Sequence, residues 1–89
     1  MYYVYVLRSK LTKKCYTGYS SDLKGRIKDH FSHSVYTKKR MGELILIFYE
    51  AYLLKSDAQR RELYLKTTKG KRTLKLMLAD YYKSEVKSL

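Results

Sequence analysis

The sequence has no proline and no asparagine, a single cysteine, four glycines and only eight acidic residues in 89 positions. Without proline, a low-complexity tract or an internal repeat, nothing in it reads as a linker, and one domain is expected over residues 1–89. Cys15 alone cannot close an internal disulfide, which fits a reducing, cytoplasmic compartment. One cysteine and two histidines also give too few soft ligands for a structural zinc site. The longest apolar run, LILIF at 44–48, falls far short of the roughly 20 residues that cross a bilayer, and no segment has the form of an export signal.

The shortage of acid leaves a large imbalance. Twenty Lys and Arg against eight Asp and Glu give a formal charge of +12. Such self-repulsion favours a polyanionic partner. Nucleic acid is the first candidate. A membrane surface is disfavoured, because anchoring helices gather their basic residues beside one broad apolar face, whereas here they are spread along the chain.

What is present reads as a small α+β domain of order β-β-α-β-α-α, a three-stranded antiparallel sheet flanked by helices. YYVYVLR at 2–8 is aromatic and β-branched enough to be a strand buried on both faces. SKLTKK is a polar turn, and CYTGY at 15–19 returns as the second hairpin strand. Ser20, Ser21 and Asp22 supply capping chemistry for a helix to about Phe31, with Leu23, Ile27 and Phe31 as its apolar stripe. SHSVYTKKRMG is a basic loop. ELILIFYEAY at 43–52 is a third strand, apolar enough to be expected at the sheet centre. Ser56 and Gln59 form an S-x-x-Q capping box that opens a second helix, running to about Thr67. Gly70 is expected to break it, and a third helix should turn Leu74, Met77, Leu78 and Tyr81 inward.

Chemistry concentrates around CYTGYSSDLKGRIKDH, residues 15–30. Tyr5 and Tyr16 share a sheet face if the register pairs Tyr5 with Gly18, which then leaves space beside both phenols. Arg26 and His30 stand at i and i+4 on one helix face. Two phenols, a guanidinium and an imidazole suit a phosphodiester, because the guanidinium grips phosphate oxygens bidentately. On the second helix, Glu62 shares a face with Ala58 and Leu65, and an inward carboxylate facing a phosphate site is a reasonable Mg²⁺ ligand. Blander readings stand beside these: tyrosines as packing, Gly18 as a strand end, Arg26 as one of many solvated cations, His30 complementing the helix dipole, and Glu62 paired with Lys66.

The ordered set VYV at 4–6, YTG at 16–18, LKGRIKDH at 23–30, YTKKR at 36–40, LIFYEAY at 46–52 and AQRRELYLK at 58–66 resembles the GIY-YIG nuclease superfamily. The likeness is closest to its small stand-alone members, similar to the nuclease module of the excinuclease C-subunit, and covers residues 2 to about 80. It implies that Tyr5 and Tyr16 lie at the active site, one phenol orienting or deprotonating the attacking water. It implies that Arg26 holds the scissile phosphate, that His30 assists at the phosphate or the leaving oxygen, and that Glu62 anchors one Mg²⁺ or Mn²⁺ ion. Gly18, Tyr19, Tyr36, Lys38, Lys39, Arg40 and Lys66 would contact nucleic acid. The implied reaction is hydrolysis of phosphodiester bonds in DNA, branched or damaged forms included, in repair or recombination, with a partner protein or homodimer left open.

The departures are specific. VYV keeps the phenol of GIY without its glycine, and Tyr19 stands where several relatives carry lysine. FSHSV replaces a glycine-rich stretch and adds His33, and the asparagine found after the glutamate helix of larger relatives is missing. Two other functions stay open. One is a non-cleaving nucleic-acid-binding module using the basic residues of YTKKR and KTTKGKR, and the other is a basic protein–protein adaptor.

Overall fold

The computed structural model describes residues 1–31 and 42–87. Its architecture follows from the first strand, β1 (Tyr2–Ser9). Val4 and Val6 point to one face and Tyr5 and Leu7 to the other, and all four are buried. A strand sealed on both faces needs a neighbour on each side and a helical layer above and below. β2 (Cys15–Ser20) and β3 (Leu44–Tyr52) supply the neighbours, both antiparallel, in the order β2-β1-β3. The hairpin register pairs Tyr5 with Gly18, the alignment the shared phenol face requires.

The expectation that β3 forms the sheet centre is corrected: among the described residues it pairs only with β1 and lies at an edge. Its apolar run has another cause. Val6 pairs with Phe48 and Leu7 with Leu46, so Ile47 is an extra residue in a bulge. The bulge turns Ile47 and Phe48 onto the Val4–Val6 side, while Leu44 and Leu46 face the Tyr5–Leu7 side. An uninterrupted apolar run thus comes from a slip in alternation, and Tyr49 remains exposed.

The helix α1 (Leu23–Phe31) covers the Tyr5–Leu7 face. Asp22 caps it, its carboxylate accepting from the Gly25 N–H at 3.1 Å. Leu23 and Ile27 pack toward Leu7 and Leu44, as the stripe predicts; the side chain of Phe31 is outside the described set. The Val4–Val6 face is covered by α2 (Lys55–Leu65), α3 (Thr68–Met77) and α4 (Ala79–Lys87). Ala58, Leu65 and Leu74 complete that core.

Three expectations about these helices are corrected. The S-x-x-Q box is not used: Leu54 is the N-cap of α2 and makes no side-chain capping bond. β3 ends at Tyr52, so the chain enters the helix almost at once, with the Ala58 N–H bonded to the Leu54 carbonyl. Gly70 does not break a helix. It lies buried inside α3, and the break falls at Lys66–Thr67, where the Thr67 hydroxyl donates to the Tyr64 carbonyl and accepts from the Gly70 N–H. A Cβ on Gly70 would overlap the Tyr64 carbonyl, so glycine permits close approach of α2 and α3. The expected third helix is two, divided at Leu78 (φ −106°, ψ 33°). Met77 consequently faces outward, and Tyr81 is half-buried against Glu85. No helix among the described residues is long and apolar enough to cross a membrane.

The last helix is held by an ion pair. Arg8, at the end of β1, donates to both Glu85 oxygens, Nη2 to Oε1 at 2.7 Å and Nε to Oε2 at 3.0 Å. This fork holds the Glu85 carboxyl below the usual carboxylate range and raises the Arg8 guanidinium. Burial, followed by hydrogen bonding to Glu85 and Cys15 respectively, pushes the Tyr81 and Tyr82 phenols up to about 12.

Candidate active site

Tyr5 is the most enclosed polar side chain of the proposed set, 4 % exposed in the centre of β1. Its hydroxyl lies 3.3 Å from His30 Nε2, near the end of α1, a hydrogen bond whose donor is set by the imidazole tautomer. The two rings meet edge to face, 6.0 Å between centroids at 66°. Gly18 makes this possible. A Cβ there would overlap the end of the Tyr5 ring, with Cε1 at 2.9 Å. The missing side chain across the strand pair is the space the phenol fills.

Tyr16 lies on the same face, half-buried against the Tyr5–Leu7–Leu44 cluster. Arg26, one turn before His30, is exposed. The structure therefore places Tyr5, Gly18 and His30 in contact, with Tyr16 and Arg26 on the same layer.

Glu62 and Tyr19 belong to the other layer. Tyr19 packs with Tyr2 at 6.3 Å and 9° and leans on the Val4–Val6 core. Glu62 projects from α2, its side chain 19 % exposed, and Oε2 accepts from Lys66 Nζ at 3.0 Å. The plain i, i+4 pairing is thus realised. The sheet stands between α1 and α2, so Glu62 and the Tyr5–His30 group lie on opposite layers, and Gly18 and Tyr19 sit on the edge strand β2. Among the described residues, no group of three or more His, Cys, Asp or Glu is arranged to hold a metal ion. Glu62 is accordingly a single-carboxylate candidate, a donor set within what Mg²⁺ accepts when waters and phosphate oxygens complete its shell. Tyr36, Lys38, Lys39 and Arg40, and with them His33, lie outside the described residues.

One basic feature was not anticipated from the sequence. A cleft of about 670 Å³ opens on the α2–α4 side, between the β1–β2 turn and the helices, lined by lysines from both. Lys13 and Lys14 belong to the polar turn SKLTKK and Lys71 to the basic stretch KTTKGKR, and only the fold brings them together with Lys75.

Comparison with known proteins defines the class. The chain belongs to the GIY-YIG catalytic domain family, which matches residues 1–75, and this is a nuclease-type family acting on nucleic acid. It is 36 % identical over 87 residues to a UPF0213 protein of Clostridium perfringens, spanning 96 % of this chain and 91 % of that one. It is 35 % identical over 78 residues to a UPF0213 protein of Staphylococcus haemolyticus, spanning 85 % of this chain and 93 % of the relative. No solved structure matches the chain at a significant level.

Proposed function

We propose that this protein is a divalent-metal-dependent endonuclease that hydrolyses phosphodiester bonds in DNA. The observation that carries the reading is the Tyr5–His30 pair seated over Gly18. A buried phenol and an imidazole within hydrogen-bond reach can relay a proton between them. In this reading the Tyr5 hydroxyl orients the attacking water and His30 accepts or returns its proton. Tyr16 lines the same layer, and Arg26 places its exposed guanidinium on the scissile phosphate and stabilises the charge that builds there. Glu62 would hold the ion, which when bound supplies positive charge for the phosphate and the departing 3′-oxygen. Lys66 shares that carboxylate and must yield to the ion. Gly18, Tyr19 and Lys66 would contact the nucleic acid, as would Tyr36, Lys38, Lys39 and Arg40, which lie outside the described residues. A role in DNA repair, with one nuclease domain over residues 1–89, is consistent with this assignment.

The test is cleavage of supercoiled, single-stranded and branched DNA with Mg²⁺, with Mn²⁺ and with chelator. Wild type is expected to nick only with metal. Arg26→Ala and Glu62→Ala are expected to abolish nicking. One observation favours a second reading: the Glu62–Lys66 ion pair leaves the carboxylate already neutralised, as a non-cleaving phosphate-binding module would. DNA binding without nicking under any metal condition decides for that module.

A further inference from the structure

The cleft on the α2–α4 side is built from two segments far apart in sequence. Lys13 and Lys14 come from the hairpin turn, and Lys71 and Lys75 stand one turn apart on α3. All four are exposed, and no carboxylate among the described residues lies within ion-pair distance of any of them. The fifth cation of the cleft, Arg8, is engaged by Glu85 and stacked 4.7 Å from the Tyr82 ring centroid, so it shapes the floor. Four ammonium groups around one concavity repel one another, and an anionic occupant relieves that repulsion.

The position of the cleft identifies the occupant. Leu65 lines it, and Glu62 lies one turn earlier on the same helix, about 5 Å along the axis. Lys66 follows directly. A strand held at Glu62 therefore has neighbouring phosphates at the cleft mouth. We infer that the cleft formed by Lys13, Lys14, Lys71 and Lys75 is a second nucleic-acid contact, seating the sugar-phosphate backbone that flanks the cut on the helix side of the sheet. This rests on the assignment of Glu62 given above. The contact is made to phosphates, so it is sequence-independent and strongly salt-sensitive.

The experiment compares wild type with the combined variant Lys13→Gln, Lys14→Gln, Lys71→Gln and Lys75→Gln. Both bind a DNA duplex across a salt series, and melting checks the fold. Each phosphate contact on a duplex contributes about 0.9 to the slope of log affinity against log salt. Loss of the four cleft lysines is expected to flatten that slope by about 3.6, so a roughly fourfold rise in salt costs wild type about 150-fold more affinity than the variant. Cys15 lines the same cleft and reports occupancy independently. Its alkylation by N-ethylmaleimide is expected to slow severalfold with duplex in wild type and to be unaffected in the variant. Equal slopes, or no protection of Cys15, overturn the inference whatever the cleavage data show. Equal protection by polyglutamate overturns it too, since the site would then be a general polyanion trap. Binding with the steeper wild-type slope but no cleavage leaves the cleft standing and removes the hydrolase.

Discussion

Replacing Gly18 with alanine places a methyl group where the Tyr5 ring ends. The added Cβ would sit 2.9 Å from Cε1 and closer still to Cζ and the hydroxyl oxygen, inside any contact real atoms keep. Tyr5 is 4 % exposed and hemmed in by Leu7 and Leu44, so the ring has little room to yield. Overpacking of this kind costs about 1–3 kcal/mol. Against a total stability of roughly 5–15 kcal/mol the domain stays folded. Any relief turns the phenol away from His30, breaking the 3.3 Å contact. If that pair carries the proton, single-turnover nicking falls by about 10²–10⁴-fold. Tyr5→Phe separates the two effects, because it keeps the ring and removes the hydroxyl that the new methyl strikes. Urea unfolding of the two single variants and the double variant should show Gly18→Ala costing less when combined with Tyr5→Phe, by about 0.5 kcal/mol or more. Gly18→Ala with unchanged unfolding free energy refutes the packing argument. Gly18→Ala that is folded, has lost the Tyr5–His30 contact by NMR and still nicks at the wild-type rate refutes the proton relay.

Glu85→Gln tests the strap between β1 and α4. The Glu85 carboxyl is held below its unfolded value of about 4.3, so its contribution is complete above that value and disappears as pH falls through the lower folded value. At neutral pH the variant should be about 1.5–3 kcal/mol less stable by urea unfolding, and the deficit should shrink in acid; a deficit independent of pH contradicts the assignment. Gly70→Ala should destabilise by more than about 1 kcal/mol in a melting experiment, although alanine is the better helix former, because the methyl meets the Tyr64 carbonyl. A stabilised Gly70→Ala protein would mean that α2 and α3 separate easily. Lys66→Ala removes the cation already on Glu62, so Mg²⁺ measured by titration calorimetry should bind up to about fivefold tighter, in line with the worth of an exposed ion pair; unchanged or weaker binding argues against Glu62 as the ligand.

The elements legible in the sequence are those whose signals are local. β1 declares itself because Val4, Tyr5, Val6 and Leu7 alternate between two apolar sets, and a strand of that kind needs cover on both faces. The start of α1 is readable in Asp22, whose carboxylate reaches a backbone N–H three residues on. The two hairpin strands are readable in YYVYVLR and CYTGY, and the Tyr5–Gly18 pairing between them is a condition that the structure meets. The pairing of Glu62 with Lys66 follows from helical spacing. The edge position of β3 is hidden because its bulge at Ile47 mimics the composition of a central strand. The role of Gly70 is hidden because breaking a helix and admitting a neighbouring helix call for the same residue.

The amino-acid order by itself determined the two strands of the hairpin, the capped helix behind them, the excess of positive charge, and the family to which the chain belongs. These rest on contacts between residues close in the chain, or on charge, which needs no geometry. Only the tertiary structure decided that Glu62 and the Tyr5–His30 pair lie on opposite layers of the sheet, that Arg8 binds Glu85, and that Lys13 and Lys14 share a cleft with Lys71 and Lys75. Such meetings depend on which face each helix covers, and that is settled by burying the two sides of β1 at once, a condition no local stretch of sequence contains.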